Sequence, residues 1–159
     1  MRLTRTFDRE YVKEVITHPA VYSRSSDDGS PVPSEYEPPE MDAVYFLKVW
    51  DGEPLGLYML VPSSSASLEI HTCLLPIAMG KRALKASRML LEWAFSHTAS
   101  ECLFTRVPEF NKPALAYAKR AGLSVIGELP MSFMRHGVLQ GQTILCITKE
   151  AWKCQQQSQ

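Results

Sequence analysis

Residues 111–123 read Asn-Lys-Pro-Ala-Leu-Ala-Tyr-Ala-Lys-Arg-Ala-Gly-Leu, and no other stretch of the chain limits local structure so tightly. Asn is a favoured N-cap, because its side-chain oxygen accepts an otherwise unpartnered N–H of the first turn. Pro113 falls in that turn, where its missing N–H costs nothing, and Gly122 supplies the usual stop. The sequence therefore predicts a helix over 111–121, followed at once by a new apolar run.

The length of 159 residues, with 45% hydrophobic and 21% charged residues, fits one domain with its own core; the reading is a single domain over 1–154 and a disordered tail over 155–159. No run reaches the ~18 apolar residues of a membrane span. The first residues are too polar for a secretory signal. The four cysteines, Cys73, Cys102, Cys146 and Cys154, show no CxxC pairing, which reads as reduced thiols in a cytoplasmic protein rather than a disulfide framework. Zero net charge argues against a nucleic-acid partner. Residues 1–53 carry 6 Lys/Arg against 11 Asp/Glu, and residues 54–159 carry 11 against 6. That division suits a cationic ligand at one end and an anionic one at the other, and equally a chance segregation in a neutral protein.

Hydrophobic periodicity and turn residues predict a strand over 1–6, a helix over 9–17 closed by His18-Pro19, and a long Pro-rich acidic loop over 22–41 with room for one short helix. Strands follow over 43–50, 55–61 and 67–75, then a helix over 81–97 and a strand over 102–107. After the helix over 111–121 another strand starts at 124–126, and segments over 133–135 and 143–148 form the closing strands. The order β-α-loop-β-β-β-α-β-α-β-β describes an α/β (α+β) fold, a mixed central β-sheet flanked by helices.

Two segments carry chemistry. In 74–84, Leu-Leu-Pro-Ile-Ala-Met-Gly-Lys-Arg-Ala-Leu, a strand runs into a turn that opens a basic helix. Unpartnered N–H groups and the helix dipole make such a start a phosphate site. In 69–73, Glu-Ile-His-Thr-Cys, alternation puts Glu69, His71 and Cys73 on one face and Ile70, Thr72 and Leu74 on the other. The plainer readings are an ordinary basic first turn, a strand acid paired with a basic side chain at Glu69, and a half-buried structural histidine at His71. A metal read on His71 and Cys73 has two ligands at most.

Asn-x-x-Ala followed by Gly-Leu at 122–123 resembles the Asn-x-x-Ala-x-x-x-Tyr-x-x-x-Gly-Phe block of the GNAT N-acetyltransferases. The resemblance implies a GNAT fold and transfer of an acetyl group from acetyl-coenzyme A to an amine acceptor, without a metal. On that resemblance Cys73, Leu74 and Leu75 present backbone to the pantetheine arm and the thioester carbonyl. Met79, Gly80, Lys81, Arg82 and Ala83 hold the pyrophosphate, and Asn111 touches the cofactor. The turn departs from the family pattern Arg/Gln-x-x-Gly-x-Gly/Ala, since Met79 stands in the Arg/Gln place and only Gly80 and one small residue remain.

Glu-Ile-x-x-Cys is similar to the strand of the histone-acetyltransferase branch, whose Glu is the general base. Only a neutral amine attacks a thioester, so a base is needed. Glu69 is the implied base, with His71 as base or relay. The family's Tyr, which protonates the departing thiolate, is replaced by Ala118. Tyr117 is one residue away, about 100° round the helix, and reads as a packing residue.

Three pieces, His18-Pro19-Ala20-Val21, Asp27-Asp28-Gly29 and Glu69-Ile70-His71-Thr72, together resemble small GNAT-like proteins of tailed bacteriophages, with a fainter similarity to a head-assembly protein of P22-like phages. This implies action in the bacterial host cytoplasm. The acids Asp27, Asp28, Glu35, Glu37, Glu40 and Asp42, with Tyr22, Tyr36 and Trp50, would then edge an entrance suited to a cationic acceptor, or form a solvated loop. A second reading is a GNAT-fold binding or assembly factor without turnover.

Overall fold

The structure is a computed structural model that describes residues 1–157; Ser158 and Gln159, part of the expected tail, lie outside the described residues. Strands β1 (Arg2–Arg5), β2 (Tyr45–Trp50), β3 (Pro54–Ser64), β4 (Ser67–Leu74), β5 (Cys102–Pro108), β6 (Ser124–Arg135) and β7 (Val138–Thr148) form one sheet in the order β1-β2-β3-β4-β5-β7-β6. β4 and β5 are parallel neighbours, and the other pairs are antiparallel. Helices α1 (Arg9–Thr17), α2 (Pro19–Ser25), α3 (Lys81–His97), α4 (Lys112–Arg120) and α5 (Lys149–Gln157) complete the chain. No helix among the described residues is long and apolar enough to cross a membrane.

Side-chain alternation gives the sheet two apolar faces. Leu47, Tyr58, Leu60, Ile70 and Leu103 pack with Leu90 and Ala94 of α3 and Ala118 of α4. Phe46, Leu57 and Cys73 pack on the opposite face with Val12, Val15 and Ile16 of α1 and Val21 of α2. Between Leu55 and Leu57 the alternation reverses: the first joins the α3 side and the second the α1 side. Gly56 makes this possible, because β3 carries one extra residue opposite Val49/Trp50 and Gly56 sits at φ +113.

The structure corrects three element expectations. His18-Pro19 closes α1 but also opens α2, which runs through residues 22–25, the start of the expected loop. Pro19 occupies the first turn, and His18 Nδ1 accepts from the Ala20 N–H at 3.2 Å. The strands expected over 124–126 and 133–135 are one strand, β6. Its register skips between Leu129 and Phe133, where Pro130 breaks the ladder and Met131 takes φ 51. Finally, α5 continues through Gln157 where a frayed tail was expected. Thr148 Oγ1 accepts from Ala151 N–H, Trp152 packs on Phe95 at 5.3 Å, and Gln155 Nε2 donates to the Gly122 carbonyl at 3.1 Å.

Candidate active site

The site exists because β4 and β5 stop pairing. Ser67, Leu68 and Glu69 lie beside Cys102, Leu103 and Phe104, and the ladder ends there. One step further the Thr105 hydroxyl donates to the Ile70 carbonyl at 3.0 Å, replacing a backbone partner with a side chain. Beyond it the strands diverge around a cavity of about 740 Å³ that reaches from α2 to the start of α3 and on to α4.

Hydrogen-bond parity decides which amides of β4 face that opening. Leu75 N–H donates to Leu55 O at 3.0 Å, so odd-numbered residues here point their backbone groups at β3. Even-numbered residues point the other way: Ala66 O accepts from Glu101 and Cys102, and Ile70 O from Thr105. Thr72 and Leu74 therefore direct N–H and C=O into the opening. Cys73 and Leu75 do not, although the sequence grouped them with Leu74. The Cys73 thiol is buried in the α1–α2 core, and burial pushes its pKa up to about 12.

The turn after β4 ends at Gly80, the residue before α3, with φ 76 and ψ −130, a conformation open to glycine. The first intrahelical bond runs from Leu84 N–H to Gly80 O at 3.2 Å, and no side chain caps the helix. The N–H groups of Lys81, Arg82 and Ala83 thus have no intrahelical acceptor. Met79, Gly80 and Ala83 line the cavity. Lys81 is exposed, whereas Arg82 turns to Glu53 at 2.9 Å and Asp51 at 3.9 Å on the β2–β3 turn. Asn111 also lines the cavity; its Oδ1 caps α4 on Ala114 N–H, and its Nδ2 donates to the Arg24 carbonyl at 3.2 Å.

On the α1–α2 face of β4, Glu69 is held by Arg106 of β5 through two bonds, Nε to Oε1 at 2.7 Å and Nη2 to Oε2 at 2.8 Å. Both carboxylate oxygens are engaged in charge-assisted bonds, so a proton arriving on either one displaces a guanidinium N–H. His71 Nε2 lies 3.8 Å from Glu69 Oε2. Burial pushes the His71 pKa below its usual 6.5; the Glu69 carboxylate pulls it up and the Arg106 guanidinium pushes it further down. The net result is a neutral imidazole at neutral pH, half-buried on the cavity wall.

Ala118, at the expected acid position, is buried in the α3–α4 core. The Tyr117 hydroxyl lies 2.7 Å from Tyr58 Oη and donates to the Ala83 carbonyl at 3.3 Å. Burial raises its pKa, and its proton is directed at backbone rather than at open space. Of the six acids expected at the entrance, Asp27 alone lines the cavity. Asp28 instead accepts from His136 N–H at 2.8 Å and Gly137 N–H at 2.7 Å, fastening the loop to the β6–β7 turn. Glu37 is paired with Arg9 and Lys13. Arg106, which the sequence reading did not single out, is central to the site. Its only trace in the sequence is a charge inside an otherwise apolar strand.

No family model matches the chain, and no curated protein matches it. Solved structures do. The spermidine N-acetyltransferase from Vibrio cholerae in complex with CoA and spermine superposes with a TM-score of 0.77 at 17% identity, over 96% of this chain and 97% of that one. A probable acetyltransferase of the GNAT family from Chromobacterium violaceum superposes with a TM-score of 0.69 at 15% identity, over 95% of this chain and 84% of that one. Such identities speak to architecture, and the architecture is unambiguous: this chain has the GNAT fold.

Proposed function

We propose that the protein is an acetyl-coenzyme A-dependent N-acetyltransferase in which an amine attacks the thioester directly. The observation that carries this reading is the backbone of Leu74, whose N–H faces an opening between two parted strands on a path that ends at the uncapped start of α3. An amide in that position suits a thioester carbonyl and the oxyanion it becomes. The N–H groups of Lys81 to Ala83 suit the pyrophosphate. The CoA and spermine bound in the Vibrio cholerae neighbour support a coenzyme A thioester and an amine as the two reactants here.

In this reaction the thioester supplies the acetyl group: the amine nitrogen bonds to the carbonyl carbon, the C–S bond breaks, and coenzyme A leaves as thiolate. His71 takes the proton that the amine sheds, since it is neutral at pH 7 and its nitrogen is not tied up in a short bond. Glu69, fixed by Arg106, orients the imidazole and stabilises it once protonated. The leaving thiolate, with an aqueous pKa of ~8.5, needs little protonation near neutral pH, which makes Ala118 tolerable in place of an acid. The likeness of three segments to phage-encoded proteins supports a bacterial host cytoplasm as the setting.

The test is calorimetric titration with acetyl-coenzyme A, followed by assay of thiol release. The expected result is binding in the range of about 1 µM to 1 mM, with thiol released only when an amine is present. No binding at millimolar cofactor would end this reading.

A further inference from the structure

The cavity divides along the sheet. Ile70 and Leu74 belong to the α3–α4 side, where the uncapped helix start lies. Glu69, His71 and Cys73 face the α1–α2 side, the half left for the acceptor. The charged side chains lining the cavity are Arg24, Asp27, Glu69, Arg106 and, in the last turn of α4, Arg120. Glu69 and Arg106 cancel each other through their two short bonds. Asp27 has one oxygen engaged by Gly29 N–H and the Ser30 hydroxyl, each at 3.0 Å.

On the α2 wall of the cavity, Arg24 is left without a counter-charge. It sits at the C-terminal end of α2, its carbonyl is fixed by Asn111 Nδ2, and its guanidinium takes part in no ion pair among the described residues. A polycation finds only one loop acid there, Asp27, because Glu37 is spent on Arg9 and Lys13, Asp28 on the β6–β7 turn, and Glu35, Glu40 and Asp42 do not line the cavity. A molecule that carries one ammonium and one carboxylate matches it: the carboxylate at Arg24 in a forked pair, the amine toward His71 and Asp27.

We infer that the acceptor is an α-amino carboxylate, bound through its carboxylate by Arg24, rather than a polyamine. This inference rests on the acetyltransferase reading above. Its test compares matched acceptors that differ by the carboxylate: phenylalanine with phenethylamine, serine with ethanolamine and lysine with cadaverine, with spermidine alongside. The measured quantity is kcat/KM for each at saturating acetyl-coenzyme A.

In at least one pair the carboxylated member is expected to be preferred by about tenfold or more, the worth of a hydrogen-bonded charge pair. Arg24→Gln is expected to bring that ratio close to unity. Preference for the bare amines or for spermidine would overturn the inference while leaving the transferase reading intact. An Arg24→Gln protein that keeps the ratio and instead raises KM for acetyl-coenzyme A would also overturn it, by assigning the guanidinium to the cofactor. Cofactor binding with no acetylation of any acceptor would sink both this inference and the proposed turnover.

Discussion

His71→Gln is expected to lower kcat by about 10²- to 10⁴-fold, the usual worth of a general base, while acetyl-coenzyme A binds within about twofold of its original affinity. The reason is local. Glu69 has both oxygens committed to Arg106, whereas the imidazole is held neutral by burial and lies at the cavity wall. The pH profile tests the same assignment. The reaction needs neutral His71, and its pKa lies below 6.5, so kcat/KM should rise through a midpoint below that value and then level off. Arg106 lowers the His71 pKa and Glu69 raises it, so two substitutions should move the midpoint in opposite directions. Arg106→Gln shifts it up, and Glu69→Gln shifts it down. A His71→Gln enzyme with full turnover would remove the imidazole from the mechanism.

Gly56→Ala is expected to cost about 3 kcal/mol of stability or more, a fall in Tm of roughly 6–12 °C. A Cβ there would lie 2.3 Å from Cys73 O and 2.9 Å from Leu74 Cα, on a residue at φ +113. The three nearest atoms are all backbone of residues 73–75, so relief requires β4 to move. The displaced segment carries the Leu74 amide, and weaker acetyl-coenzyme A binding should accompany the lost stability. Gly52→Ala is the control. It shares a positive φ of 76 but has nothing within 4 Å, so it should cost only about 1–2 kcal/mol for the left-handed backbone. Equal melting temperatures for the two variants would show that the close approach of β3 to β4 is not what Gly56 provides.

These two sites also show what the sequence could and could not disclose. The bounds of α1 and α3, the Asn111 cap and the shared face of Glu69, His71 and Cys73 follow from periodicity and capping, which are local. The partner of Glu69 is 37 residues away, and only sheet order brings Arg106 beside it. Likewise, alternation tells which way a side chain points but not which edge an amide faces. That depends on register with β3, and it is why Leu74 faces the opening while Leu75 is spent on Leu55. The parting of β4 and β5 leaves no mark in the sequence either, because it is an absence of pairing. Pro19 shows the limit of a local signal: it marks the end of α1, yet it also starts α2. The acidic loop followed the sequence in composition but not in role, since Asp28 and Glu37 serve as clasps.

The most direct measurement is an amide-resolved NMR titration with acetyl-coenzyme A. The Thr72, Leu74, Lys81, Arg82 and Ala83 N–H signals should move most, with Cys73 and Leu75 moving less because their N–H groups already bond to β3. Saturable binding that left Leu74 and the first turn of α3 unperturbed would contradict a thioester seated between the parted strands.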